Sequence, residues 1–292
     1  MEEREDHDLG LSHDLPRIVE RNKRMGRRGM LAVFGAAGVA ALAVSCGTDE
    51  PETVTSSSTQ GGPPAGGTPP GGAPAGGETS VQVADGEIPE ETAGPYPGDG
   101  SNGVNVLTES GVVRSDLTTS FGSASGVAEG IPVTIRLKVL DLNGEDATAM
   151  AGAAVYLWHC DREGRYSMYD EEIADENYLR GVQETGADGR VEFTSIFPAC
   201  YDGRWPHMHF EVYQSLDDAT SYANKLRTSQ LALPQDVCET VYATEGYDAS
   251  VANLAAVSLD SDGVFSDGHS LQMATVTGSV DTGYTITLNV PV

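Results

Sequence analysis

Residues 201–213 read YDGRWPHMHFEVY, and whether this run is a strand decides how the rest of the chain is read. Its second half reads as a β-strand. A strand sends successive side chains to opposite faces, so His207 and His209 point one way and Met208 the other. Pro206 lacks a backbone donor and suits the mouth of a strand rather than its middle. It also pushes Trp205 towards extended geometry. Two neutral imidazoles on one face form half of a metal site, although hydrogen-bonded or surface histidines produce the same pattern.

Outside residues 1–45, histidine occurs only at 159, 207, 209 and 269, so a three-histidine site would have to recruit His159 or His269. Glu211 shares the face of the pair and would complete a two-histidine, one-carboxylate site. Tyrosines offer a different answer. A phenolate is a hard anionic oxygen donor, and a trivalent cation removes the proton that water does not take at pH 7. Tyr156, Tyr166, Tyr169, Tyr178, Tyr201 and Tyr213 are all candidates, and the physics of the residues does not choose among them.

The flanking sequence predicts more strands. In VTIRLKVLDL, apolar Val133, Ile135, Leu137 and Val139 alternate with Thr134, Arg136 and Lys138, the pattern of a strand buried on one side. AAVYLWHCD, HMHFEVY, TSQLAL, LQMATVTGSV and YTITLNV are further candidates. YLRGVQETG and RVEFTSIF are separated by ADG, whose Asp-Gly predicts a hairpin between them. Helical pattern is sparse, with DVCETVYAT (236–244) first and SVANLAA second. Many short strands with Gly and Asp turns predict an all-β sandwich with a few short helices.

The chain has 292 residues and a formal net charge of −27. Residues 21–29, RNKRMGRRG, are strongly basic, and the apolar run at 30–44 is short of the ~20 residues that cross a membrane. Residues 1–45 therefore read as a secretory signal, and Arg27-Arg28 adds a twin-arginine reading. The run ends AVSC, which resembles a lipobox with Cys46 as the lipidated residue, apart from Ala43 where leucine is usual. Residues 46–84 are dominated by Gly, Pro and Ala and predict a disordered tether. The basic and acidic residues of 1–45 cancel, so the rest of the chain keeps all of the negative charge. That argues against nucleic acid as a partner. Export to the cell surface or beyond, with the membrane reached through a lipid at Cys46, is the expectation. Residues 85–292 remain for one folded domain. In an oxidising compartment one pair among Cys160, Cys200 and Cys238 would form a disulfide, with Cys160–Cys238 favoured.

Four segments in order, ETAGPYPGDG, AAVYLWHCDREGRYSMYD, LRGVQETGADGRVEFTSIFPACYDGRWPHMHFEV and TSQLALP, resemble the intradiol ring-cleavage dioxygenases, the catechol and protocatechuate dioxygenase family. The likeness spans about residues 88–235. It rests on W-H-x-D-x-x-G-x-Y, P-x-x-Y followed by R-x-x-H-x-H, and T-x-Q-L. It implies a transthyretin-like β-sandwich and a non-haem Fe(III) held by Tyr166, Tyr201, His207 and His209. It also implies Arg204 beside the metal, Gln230 near the substrate, and Pro95 and Tyr96 lining the pocket. Tyr201 would be displaced by substrate and accept a proton. The implied activity is cleavage of a catechol-type ring with O2 to a cis,cis-muconate-type diacid. The rival readings are a metalloenzyme using Glu211 and a non-catalytic cell-surface binding sandwich. The acidic balance favours an uncharged catechol over an acidic one. The tail after Pro234 has no firm counterpart in the likeness.

Overall fold

In a computed structural model, which describes residues 86–142 and 147–292, the alternating runs fold into two sheets packed face to face. The predicted signal segment, Cys46 and the tether lie outside the described residues. The first sheet contains β1 (Pro132–Asp141), β2 (Thr148–Ala149), β5 (Arg190–Ile196), β8 (Thr275–Ser279) and β9 (Gly283–Pro291). β1 is its centre, antiparallel to β5 and β2 on one side and parallel to β9 on the other. The second sheet is antiparallel, in the order β4 (Arg180–Glu184), β3 (Ala154–Trp158), β6 (His207–Tyr213) and β7 (Lys225–Ala232). Helices α1 (Gln235–Tyr242) and α2 (Asp248–Ala256) follow β7, close to where the sequence predicts them. Among the described residues, no helix is long and apolar enough to cross a membrane.

The core lies between the sheets. Val133, Ile135, Leu137 and Val139 of β1 meet Val155 and Leu157 of β3 and Met208, Phe210 and Val212 of β6 in one buried cluster. Each such side chain contributes about 1.5–3 kcal/mol when fully buried. β1 shows the expected one-sided burial, but β6 is buried on both faces. Its second face carries His207, His209 and Glu211 beneath loops that include Val106, Leu107 and Val112 and the turn at Tyr166. That double burial gives the polar face of β6 a roof.

Two expectations are corrected. The Asp188-Gly189 turn does not join a hairpin. β4 pairs with β3 while β5 pairs with β1, so the turn carries the chain from one sheet to the other. Gly189 still fits a tight turn: its φ is 73°, and a Cβ there would lie 2.5 Å from the Val139 carbonyl oxygen. The favoured Cys160–Cys238 disulfide is absent, because all three thiols are free and buried. Cys160 belongs to the cluster under the loops, and its Sγ donates to the Ala199 carbonyl. Cys238 sits on α1 in the inter-sheet core.

Candidate metal centre

Four polar side chains converge where β6 leaves the Pro206 corner. The Trp205 carbonyl accepts a 2.5 Å hydrogen bond from His207 Nδ1, which places the ring proton on Nδ1 and leaves a lone pair on Nε2. That Nε2 lies 3.1 Å from His209 Nε2 and 3.1 Å from the Tyr201 hydroxyl. The Tyr201 hydroxyl is 3.5 Å from that of Tyr166. Tyr166, His207 and His209 are buried, and Tyr201 is half-buried. The structure thus brings together all four side chains that the family resemblance implies.

Local chemistry holds each donor in place. Asp161 accepts from the amides of Glu163 and Arg165 through Oδ1 and from Arg165 Nε through Oδ2, fixing the turn that presents Tyr166. Beyond it, Arg180 donates to the Ser167 carbonyl and hydroxyl, at 2.9 and 3.1 Å. His209 stands directly across the β3–β6 ladder from Trp158, and the indole stacks on the imidazole at 4.9 Å with a 10° tilt. Tyr156 stacks on the other side of Trp158 at 4.8 Å.

Burial dominates the electrostatics. It pushes the Tyr166 phenol well above its usual range and Tyr201 up to about 12. It pulls His207 down to about 3, with Arg204 adding to the effect, and His209 well below the usual value, with His207 adding. The site therefore offers two neutral imidazoles and two phenols that only a strong Lewis acid deprotonates near pH 7. Donors bound about 2.1 Å from one ion sit roughly 3 Å apart, close to the spacings seen here. The buried His209 Nδ1 has no hydrogen-bond partner. Either tautomer leaves Nδ1 unpartnered, as a lone pair if Nε2 carries the proton and as an N–H donor if Nδ1 does, and in the second case the Nε2 lone pairs of His207 and His209 face each other. A cation at the two Nε2 atoms removes the conflict between their facing lone pairs. The residues present fit a hard trivalent metal ion.

The carboxylate alternative does not assemble. Glu211 shares the strand face, but its Oε2 accepts from the Tyr213 hydroxyl at 2.6 Å and its Oε1 from Thr228 at 3.0 Å. Among the described residues, no three His, Cys, Asp or Glu side chains are grouped to hold a metal. His159 is spent elsewhere, bonded to the Cys160 carbonyl and the Ser195 hydroxyl.

Around the donors lie the other predicted residues. Arg204 Nη2 donates to Gln230 Oε1 at 2.7 Å. Gln230 Nε2 donates to the Thr92 carbonyl, so both ends of the amide are engaged. Residues 87–98 form a strap across the sheet. Glu87 pairs with Arg227, Glu90 with Lys225, and the Glu91 amide donates to the Thr228 carbonyl. Pro97 is held by Tyr156 and Arg180, which both donate to its carbonyl. Tyr96, partly exposed, lies 5.1 Å from the Tyr166 ring and 5.3 Å from Tyr169. Pro95 is exposed, and its carbonyl accepts from Asn102. A Cβ added at Gly94 would touch His209 Cε1 at 3.5 Å, which shows how closely the strap passes.

Two neighbours had no role from the sequence. Glu91, bonded to Gln272, has its carboxyl raised to about 7 by burial and by Asp267. Asp262 is buried beneath Arg204 and accepts from its Nε at 2.9 Å. Burial alone would raise the Asp262 carboxyl, but hydrogen bonds from Arg204 and from backbone amides hold it below the usual carboxylate range. Asp262 lies 58 residues from its partner in the unmatched tail, and only an isolated DSDG turn marks it in the sequence.

Comparisons with known proteins bear on the fold and on the segment that carries these residues. The Dioxygenase_C family model, described as Dioxygenase, matches residues 108–225. Catechol 1,2-dioxygenase 1 of Acinetobacter lwoffii is 41% identical over 61 residues, which is 20% of this chain and 20% of that protein. Chlorocatechol 1,2-dioxygenase of Rhodococcus opacus is 36% identical over 55 residues, 19% of this chain and 21% of that one. The chain thus spans about a fifth of the length of these curated relatives. An intradiol ring-cleavage dioxygenase structure from Tetranychus urticae superposes with a TM-score of 0.54 at 22% identity, over 70% of this chain and 92% of that one. The fold is the β-sandwich of intradiol dioxygenases, and the segment carrying Tyr166, Tyr201, His207 and His209 lies within the Dioxygenase_C match.

Proposed function

We propose that residues 85–292 form a non-haem Fe(III) intradiol dioxygenase. In this reading it is an oxidoreductase that opens a catechol-type ring with O2, incorporating both oxygen atoms, to a cis,cis-muconate-type diacid. The observation that carries the reading is the convergence of two phenols and two imidazoles, linked in the order Tyr166, Tyr201, His207, His209 by successive approaches of 3.5, 3.1 and 3.1 Å. Tyr166, Tyr201, His207 and His209 would hold the ion. Bound there, ferric iron would supply Lewis acidity towards both catechol oxygens and promote the ring's reaction with O2.

The protein's own groups do the rest. Tyr201, the most exposed donor, is assigned to accepting a proton at its phenolic oxygen from the incoming catechol hydroxyl. Arg204 stabilises negative charge developing on the ring with its guanidinium. Gln230 acts through Arg204 and the strap, since both ends of its amide are engaged. Pro95 and Tyr96 form the wall that narrows entry and limits water. Export, with residues 1–45 as a twin-arginine-type signal, Cys46 as lipid anchor and 46–84 as tether, belongs to the same proposal. Mass spectrometry of the mature N-terminus tests it.

The deciding experiment is a visible spectrum of the iron-loaded protein before and after catechol under nitrogen. A red-brown band that shifts with catechol, followed by oxygen uptake and a ring-opened diacid, is the expected result. A colourless protein that holds metal, or one that takes up no iron, overturns the reading.

A further inference from the structure

We infer that Asp262 is the residue that positions Arg204 for the chemistry proposed above, and that the segment after α2 is therefore part of the active site. The inference rests on that functional reading. Asp262 has no exposed surface. Its Oδ2 accepts from Arg204 Nε at 2.9 Å and from the Trp205 amide at 2.7 Å. Its Oδ1 accepts from the amides of Val264 and Phe265, at 2.8 and 3.1 Å, and from Arg204 Nη2 at 3.4 Å. One carboxylate thus gathers the guanidinium, the backbone two residues before His207, and the turn that leads to Phe265.

The geometry fixes how the guanidinium faces. Nε and one side of Nη2 are bound by Asp262, and Nη2 also reaches Gln230. Among the described residues nothing hydrogen-bonds Nη1, so that end of the planar fork is left for a ligand. A side chain with this much rotamer freedom would otherwise sample many orientations, and the buried anion selects one. The same anion offsets most of the cation's charge. Arg204 then acts as an aimed donor rather than as a net positive charge that would draw in carboxylated rings. Phe265, held by the same turn, sets its ring 6.4 Å from that of His207 and walls the same corner.

Asp262→Asn tests this, because it keeps the size and one acceptor oxygen while removing the charge. Asp262→Asn, Arg204→Gln and the double variant are compared with the parent as full chains. The readouts are iron content, the catechol-shifted band, kcat and KM. Retained iron and band are expected, with kcat lowered on the order of 10²-fold in each single variant and no further fall in the double one. Losses that multiply in the double variant, or an unchanged kcat in Asp262→Asn, overturn the inference. A parent that takes up no iron or opens no ring sinks the functional reading instead. The positioning claim is then decided on the metal-free chain by proton exchange at Arg204 Nε–H. Exchange at least ~10-fold slower in the parent than in Asp262→Asn upholds the fixed orientation, and equal exchange overturns it.

Discussion

The Trp158 indole lies parallel to the His209 imidazole, with centroids 4.9 Å apart and planes 10° apart. The contact is a cross-strand pair on the β3–β6 ladder, so backbone register sets the ring's orientation. Trp158→Ala would open a cavity under His209 and cost about 3–5 kcal/mol. Iron affinity should fall with it, whereas Trp158→Phe should keep the stack and most of the affinity. Urea denaturation and iron titration of the two variants check this. Equal iron affinity in Trp158→Ala and the parent would show that the ring is held by other means.

Tyr166→Phe removes one oxygen and leaves the ring packed against Tyr96 and Tyr201. It should fold normally, lose the tyrosinate colour in part and lose activity by at least ~10²-fold. Iron stoichiometry, the visible spectrum and oxygen uptake are the readouts. An unchanged spectrum would remove Tyr166 from the donor set.

Glu91 sets a pH dependence of stability. Its carboxyl is raised from the ordinary 4.5 to about 7 by burial and by Asp267, so the folded chain holds a proton that the unfolded chain has released. Stability is fully present below about pH 4.5 and declines as pH rises towards 7. Because Glu91 is only half-buried, solvent screening limits the effect to about 1 kcal/mol. Thermal melts of Glu91→Gln across this window should be flatter than those of the parent. A parallel pair of curves would count against it.

The thiols give a chemical test of the core. Burial pushes the Cys200 thiol up to about 12 and those of Cys160 and Cys238 higher still. Thiolates are the reactive form, so all three should resist iodoacetamide in the folded protein and react once it is unfolded in urea. Peptide mapping checks this. Rapid labelling of any one in the native state would contradict its burial, and a disulfide-linked peptide would contradict the free thiols.

Particular residues show what sequence reading reached. The alternation of His207, Met208 and His209 fixed which side chains share a face, because a strand's period is two and needs no partner to be known. Which strand lies alongside was another matter. Asp188-Gly189 specifies a turn, but the edges offered by β3 and β1 send β4 and β5 to different sheets. Glu211 looked available on the metal face. Its capture by Thr228 depends on the β6–β7 register, which local sequence does not carry. Tyr166 and Tyr201 stood out from the other tyrosines only through a family resemblance. Asp262 was invisible because its partner is remote and its own surroundings are ordinary turn sequence.

The strap at 87–98 and the turn at 262–265 lie on either side of the segment that bears the four donors. In the proposed function, metal binding and ring selection are therefore written in separable stretches of the chain. Exchanging residues 108–225 between two such proteins would carry the donors across but leave the pocket's walls and the arginine's clamp with the recipient. Changes confined to the flanks would alter which ring is admitted while the donor set stays as it was.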